Sequence, residues 1–216
     1  MGEFKMGMDL CHGTNGAVED EEAGEALVMR AAAAGLRPAR AYCFFLGLGT
    51  SEDYDKAAAL FQAELDDSGS ETEASGGACR WCAYSLALTY QYGHGVEIDE
   101  ARALELYTHA AETDENVVAM YNLYKVYCYE ELGQAKDNAR ATTWIRRSAD
   151  SGYSCACLFL GLILEHGRHG VDVNLKEALR CYEKCEEQRP GFHALQIARV
   201  RAAIAAQSDS DGDAEA

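Results

Sequence analysis

The fold of this chain is decided by residues 82–114, CAYSLALTYQYGHGVEIDEARALELYTHAAETD, a pattern that returns twice farther along. Residues 119–152 read AMYNLYKVYCYEELGQAKDNARATTWIRRSADSG, and residues 156–185 read ACLFLGLILEHGRHGVDVNLKEALRCYEKC. Because positions four residues apart share one side of a helix, each stretch is predicted to begin with an amphipathic helix. A leucine, a small residue four positions before it and a large apolar residue four positions after it recur every 37 residues: Leu86, Leu123 and Leu160; Cys82, Ala119 and Ala156; Tyr90, Tyr127 and Leu164.

A glycine-containing turn and a second helix complete each of these units. Glycine is suited to leaving a helix through a left-handed residue, and the turns contain Gly93, Gly133 and Gly167. Side chains that can cap the next helix follow at Asp99, Asp137 and Asn174. The second helix alternates small and large residues, which allows two helices to approach closely: Ala103, Ala141 and Ala178, then Leu106, Trp144 and Cys181.

The second-helix pattern also occurs upstream, over residues 53–61 and more weakly over 20–35. Only two prolines, abundant Ala and Leu, and the absence of alternating β-branched runs favour helix throughout. The sequence therefore predicts an all-α solenoid of antiparallel helix pairs, with four pairs and a half-unit before them. The predicted organisation is a disordered N-terminus over 1–19, repeats over 20–192 with an acidic loop insertion at 68–77, a capping helix over 193–207 and a disordered acidic tail over 208–216.

The full register resembles the SEL-1-like repeat, a branch of the tetratricopeptide superfamily. The match rests on positions such as Leu86, Tyr90, Gly93, Gly95, Val96, Asp99, Ala103, Leu106, Tyr107, Ala110 and Ala111, on their counterparts over 119–152 and on Leu160, Gly161, Gly167, Gly170, Val171, Ala178 and Tyr182. The resemblance implies a right-handed superhelix whose concave face binds another protein. This chain departs from the family pattern at Tyr124 and Glu130, where glycine is usual, and over 185–189.

The tetratricopeptide register also implies which first-helix positions face the groove. A partly apolar, tyrosine-rich groove follows, in which tyrosine offers a large contact area and one hydrogen-bonding group. The alternative is that some of these residues face the core, since a register error of one position rotates a helical residue by about 100°. The candidate residues are Tyr84, Leu88, Gln91 and Tyr92, then Tyr121, Lys125, Cys128 and Tyr129, then Leu158, Leu162, Glu165 and His166.

Charge and composition exclude several classes of partner. The formal net charge of −17 disfavours DNA, RNA and anionic membrane surfaces. No apolar stretch reaches the roughly 18 residues of a membrane span, and the N-terminus shows no signal or transit peptide. Nine cysteines without a secretory signal predict reduced thiols in a cytosolic or nuclear protein, and we expect a cytoplasmic location.

No catalytic, metal or cofactor motif emerges from the remaining residues. Cys79 and Cys82 have the spacing of a zinc pair, but Cys82 occupies a position at which a small buried residue recurs. The resemblance also implies that Cys157 and Cys185 lie near positions where some proteins with these repeats form a disulfide, with Cys185 one residue away. We therefore expect no metal, no cofactor and no small-molecule substrate.

The sequence thus predicts an adaptor that binds a peptide or helix of a partner protein, and not an enzyme. Two alternatives remain open at this point. One is a structural subunit of a larger assembly, and the other is an enzyme or metal-binding protein built on a repeat scaffold.

Limited proteolysis tests the predicted boundaries of the repeats. The acidic Gly/Ser-containing segment before residue 79 has no apolar anchor, so the first cut should fall between Asp66 and Ala78, apart from trimming of the termini. The fragment from about Cys79 onward keeps three repeats and should remain folded, as judged by circular dichroism. A first cut within residues 82–190 would show that the boundaries are wrong.

Overall fold

The computed structural model describes residues 2–15, 17–68, 79–188 and 190–213. Within these residues the chain forms eleven α-helices and no strand, so the all-α prediction is confirmed. The helices are α1 (Gly2–His12), α2 (Glu21–Ala33), α3 (Arg37–Leu46), α4 (Tyr54–Ser68), α5 (Cys79–Tyr92), α6 (Glu100–Glu112), α7 (Val117–Tyr129), α8 (Asn138–Asp150), α9 (Ser154–His166), α10 (Leu175–Gln188) and α11 (Ala194–Asp213).

Consecutive helices pack in pairs, from α1 with α2 to α9 with α10, and α11 packs against α10. The turns use the predicted chemistry: Gly93 and Gly167 adopt left-handed conformations, with φ of 71° and 63°. Asp99 and Asp137 cap the second helices by accepting hydrogen bonds from the backbone amides three residues later, each at 2.9 Å. These glycine turns and aspartate caps form the same helix pair in successive units, and the stacked pairs give the predicted α-solenoid.

Side chains join successive units in two layers. In the layer of first helices, the rings of Tyr121 in α7 and Phe159 in α9 lie 5.7 Å apart. In the layer of second helices, Arg146 of α8 donates a hydrogen bond to Glu177 of α10. The residues predicted to line a groove all belong to the first-helix layer, on α5, α7 and α9.

The expectation of a disordered N-terminus over residues 1–19 differs from the structure, in which residues 2–12 form α1. Phe4 and Met8 of this helix are buried, at 1% and 2% exposure. The helix crosses α2 at two glycines: a methyl group on Gly7 would lie 2.7 Å from the carbonyl oxygen of Gly24. Phe4 and Met8 are the two large buried side chains on this face and the glycine crossing adds none, so α1 gives only a short apolar pattern in the sequence.

The predicted capping helix is present as α11, but it extends to Asp213, six residues beyond the expected boundary at 207. Its alanine-rich middle contains no proline, so no residue there stops the helix. The acidic insertion predicted at 68–77 begins where α4 ends, at Ser68, and the remainder lies outside the described residues, as do residues 214–216.

One pair of facing residues shows how closely the two helices of a unit approach. A methyl group on Gly161 of α9 would lie 2.7 Å from Cε1 of Tyr182 in α10, so the ring fills the space left by the missing side chain. At the equivalent positions, 37 residues earlier, stand Tyr124 and Ile145, both buried. The Tyr124 ring lies 6.3 Å from that of Phe159 in the next unit, so its bulk packs between units.

The substitution Gly161→Ala should destabilise the protein by about 1–2 kcal/mol, because overpacking of the Tyr182 ring outweighs the roughly 0.5–1 kcal/mol by which alanine is favoured over glycine inside a helix. Urea unfolding followed by circular dichroism measures this change. The control Gly2→Ala adds a methyl group that meets no atom within 4 Å and should be nearly neutral. A neutral Gly161→Ala would show that the two helices do not approach as closely as described.

Helix α1 also reaches α5, through His12. The imidazole stacks on the indole of Trp81, with centroids 4.7 Å apart and an interplanar angle of 23°, and it meets the edge of Tyr84 at 6.3 Å. Burial lowers the pKa of His12 from 6.5 to about 4, although the nearby Asp9 carboxylate acts in the opposite direction. The neutral imidazole therefore holds α1 against α5.

Acidification should loosen this contact. The pKa of His12 is lowered in the folded state, so its contribution to stability is complete above the unfolded-state pKa of 6.5 and is lost as the pH falls from there towards 4. At pH 5 this loss is about 2 kcal/mol. Urea unfolding at pH 7.5 and pH 5 should show a larger decrease for the wild type than for His12→Gln. Equal decreases in both proteins would contradict the buried, neutral imidazole.

Candidate partner-binding surface

Most of the candidate groove residues reach the surface of the first-helix layer. The aromatic side chains at the ends of α5 and α7 are the most accessible, with Tyr92 at 54% and Tyr129 at 57% exposure. His166 ends α9 in the same way and is also exposed. We use the term first-helix surface for the accessible candidates together with Phe159: Leu88, Gln91, Tyr92, Tyr121, Lys125, Tyr129, Leu158, Phe159, Leu162 and His166.

Tyr84 does not belong to this surface, because the structure buries it to 8% exposure. Its ring meets Trp81 edge-on at 5.9 Å and is covered by His12 of α1. A hydrogen bond joins its hydroxyl to the Asn122 side chain, while burial raises the pKa of Tyr84 to about 12. Tyr107 of α6, Asn122 of α7 and His12 of α1 together enclose this ring, and these contacts between helices are not visible in the repeat pattern. Cys128 is likewise buried, at 4% exposure.

Glu165 has a structural role that the sequence did not indicate. Its carboxylate pairs with Arg199 of α11 at 2.7 Å and accepts a hydrogen bond from the Tyr182 hydroxyl of α10 at 2.8 Å. The three contacting helices are thereby tied together at the C-terminal end of the stack. We therefore assign Glu165 to the attachment of α11 and leave it out of the first-helix surface.

Aromatic rings between α7 and α9 form the centre of the first-helix surface. The ring centroid of Tyr121 lies 5.5 Å from that of Tyr153 and 5.7 Å from that of Phe159. The Lys125 ammonium lies 5.7 Å from the centroid of the Tyr121 ring. Burial is the main reason that the pKa of Tyr121 rises to about 12. Sequence reasoning missed Phe159 and Tyr153, because neither falls on a groove position of the repeat register. Their position beside Tyr121 could be recognised only once α7 and α9 were side by side.

The first helices α5, α7 and α9 carry very little charge for a chain of net charge −17. Along the whole of α5, α7 and α9 the only Asp, Glu, Lys or Arg residues are Arg80, Lys125 and Glu165. The surface is therefore apolar and aromatic, whereas the acidic residues lie mainly in the second helices and the turns. Such a surface can bury the apolar side of a peptide without removing many charges from water.

The cysteines are free thiols in the part of the chain described here. Cys157 and Cys185, the pair considered for a disulfide, are both buried and share a hydrogen bond, which lowers the pKa of the Cys157 thiol. The described residues contain no group of three or more His, Cys, Asp or Glu side chains arranged to hold a metal ion. Nor does any helix among them have the length and apolar character needed to cross a membrane.

Comparison with solved structures supports the repeat fold. The crystal structure of a Sel1 repeat protein from Oxalobacter formigenes has a TM-score of 0.61 and 23% identity, over 85% of this chain and 69% of that protein. The protein c5321 is a protective antigen of uropathogenic Escherichia coli with an SLR fold. Its structure has a TM-score of 0.61 and 24% identity over 94% of this chain, which spans 41% of the antigen. At these identities the likeness concerns the fold alone.

No curated protein matches this chain. The family model of the Sel1 repeat, by contrast, matches four segments that correspond to the pairs from α3 with α4 to α9 with α10: residues 39–63, 82–112, 117–153 and 156–187. Proteins with this repeat are helical scaffolds that generally act in protein–protein interactions. Because the matched segments make up more than half of its residues, the chain belongs to the Sel1 repeat family.

Proposed function

We propose that this protein is an adaptor whose first-helix surface binds a peptide or helix of another protein. The observation that carries the proposal is the contrast in composition: a nearly uncharged, aromatic row of side chains in a strongly acidic chain. Exposed apolar side chains that recur at the repeat period are suited to a partner that crosses several units.

The side chains of this surface are suited to binding. Tyr92 and Tyr129 are more than half exposed, so a partner would remove most of their ring area from water. Tyrosine loses little conformational entropy on binding, and its hydroxyl can pair with a partner's backbone. Leu158 and Leu162 are half-buried in α9, and they add apolar area to the helix that also carries Phe159, the neighbour of Tyr121.

A structural subunit of a larger assembly is the second candidate, and it is favoured by a different part of the chain. Phe192 precedes α11 and Leu195 lies in its first turn, with exposures of 67% and 84%. A neighbouring subunit could cover this end of the stack and leave the first-helix surface free. The two candidates therefore predict different sensitive residues.

The paired substitution Tyr92→Ala with Tyr129→Ala tests the adaptor. It should leave the thermal melt nearly unchanged, since both side chains are exposed, while removing the proteins that the wild type retains from a lysate of its native cells. Quantitative mass spectrometry of the retained proteins is the readout. The matched control is Phe192→Ala with Leu195→Ala, which removes exposed apolar area elsewhere.

Loss of retained proteins in the control pair alone would contradict the adaptor and favour the structural subunit. Equal retention by all three proteins would exclude both surfaces as binding sites.

A further inference from the structure

The exposed apolar side chains of the first-helix surface continue along one edge of the molecule, where the first helices end. Leu46, Tyr92 and Tyr129 are the last residues of α3, α5 and α7, with exposures of 47%, 54% and 57%. Ile98 and Val173 add to the row immediately before α6 and α10, at 64% and 55%. We call these five residues the turn-edge row.

Two of the four turns, those after α5 and α9, hold an apolar side chain in the same way. A methyl group on Gly93 would lie 2.9 Å from Cγ1 of Ile98, so the isoleucine folds back over the turn beside Tyr92. Val173 folds over Gly167 in the same way, at 3.1 Å. Ile98 and Val173, two repeats apart, are thereby held against their turns, and Leu46 and Tyr129 provide the exposed apolar contacts of the other two units.

The excess of acidic residues at this edge favours a basic partner. The four turns after α3, α5, α7 and α9 contain eight acidic residues and only two basic ones. The acidic residues are Glu52, Asp53, Glu97, Asp99, Glu130, Glu131, Asp137 and Asp172, and the basic residues are Lys136 and Arg168.

The chain itself shows that cations pack on aromatic rings near this edge. The Lys56 ammonium lies 5.4 Å from the ring centroid of Phe44, and the Arg140 guanidinium lies 5.4 Å from that of Tyr127. Among the described residues, however, no Lys or Arg lies over the more exposed rings of Tyr92 and Tyr129. Asp53 and Asp137 pair with Lys56 and Arg140, whereas no ion pair of the described residues includes Glu97, Glu130 or Glu131. An exposed ring beside such unpaired carboxylates is a suitable contact for a cation supplied by another molecule.

Glu130 is placed at this edge against its own conformational preference. It ends α7 in a left-handed conformation, with φ of 61°, where the family pattern has glycine. Its carboxylate also stands at the negative end of the helix dipole, and it makes no ion pair within the described part of the chain. Both features lower stability, and both would be offset by a cation bound beside Tyr129.

We propose that the turn-edge row binds a basic segment of a partner protein, whose Lys or Arg side chains pack on Tyr92 and Tyr129 and pair with the acidic turns. This inference rests on the proposed adaptor function and specifies its partner. The apolar residues of the segment would lie on the first-helix surface, and its basic residues would follow the edge from turn to turn.

The test starts from a random dodecapeptide library displayed on phage and selected on the full-length protein. Selected peptides should carry a net positive charge, and the tightest, made synthetically, should lose affinity when Tyr92→Ala and Tyr129→Ala are introduced. In fluorescence anisotropy, Glu130→Gly should weaken this peptide about threefold to tenfold, and higher salt should weaken it further. The same substitution should raise the melting temperature by about 2–4 °C, because glycine relieves the left-handed residue.

Glu115→Gly is the matched control. Glu115 is also exposed and left-handed, with φ of 52°, but it precedes α7 and lies at the opposite end of that helix from Glu130. Its replacement should leave peptide affinity unchanged.

Three results would overturn the inference. Peptides without an excess of basic residues that still require Tyr92 and Tyr129 would contradict the basic partner and leave the adaptor intact. Equal weakening by Glu130→Gly and Glu115→Gly would show a non-specific effect of net charge. Failure to select any peptide that depends on the two tyrosines would contradict the adaptor as well.

Discussion

The close approach of the two helices within each unit is the constraint on which the rest of this structure depends. It requires small buried residues at fixed positions, and Ala103, Ala119, Ala141, Ala156 and Ala178 are all fully buried. Where the small residue is Gly161, the ring of Tyr182 occupies the vacant space. Each unit therefore buries most of its first helix, and only a narrow strip of that helix remains free to bind.

This constraint explains why the sequence predicts the repeats well and the ends poorly. The caps at Asp99 and Asp137 and the left-handed turn at Gly93 are local, so they could be assigned from residue type and spacing. Helix α1 was not assigned, because Phe4 and Met8 form only a short apolar pattern and the crossing with α2 is made at Gly7 and Gly24, which carry no apolar signal. The extension of α11 to Asp213 was not predicted, because the acidic residues at the end of this helix resemble those of a solvated tail.

The candidate site was predictable to the extent that it follows the repeat register. Tyr92 and Tyr129 occupy equivalent positions and are exposed as predicted, but Tyr84 is covered by a helix that the sequence did not reveal. Glu165 faces the expected layer, yet the arrival of Arg199 from α11 turns it into a structural contact. Phe159 and Tyr153 join the site only because α7 and α9 lie side by side. Contacts between units therefore decide which of the candidate residues are exposed, and the repeat register alone does not determine this.

The central claim is that a partner lies against the ends of the first helices. Site-specific photo-crosslinking tests it most directly, with a benzophenone amino acid placed either at Tyr129 or at Thr143, an exposed residue of the second helix α8. Irradiation in native cells, followed by mass spectrometry, should give a covalent adduct with a partner protein from position 129 and none from position 143. Adducts from position 143 alone would contradict the account and place the partner on the second-helix layer.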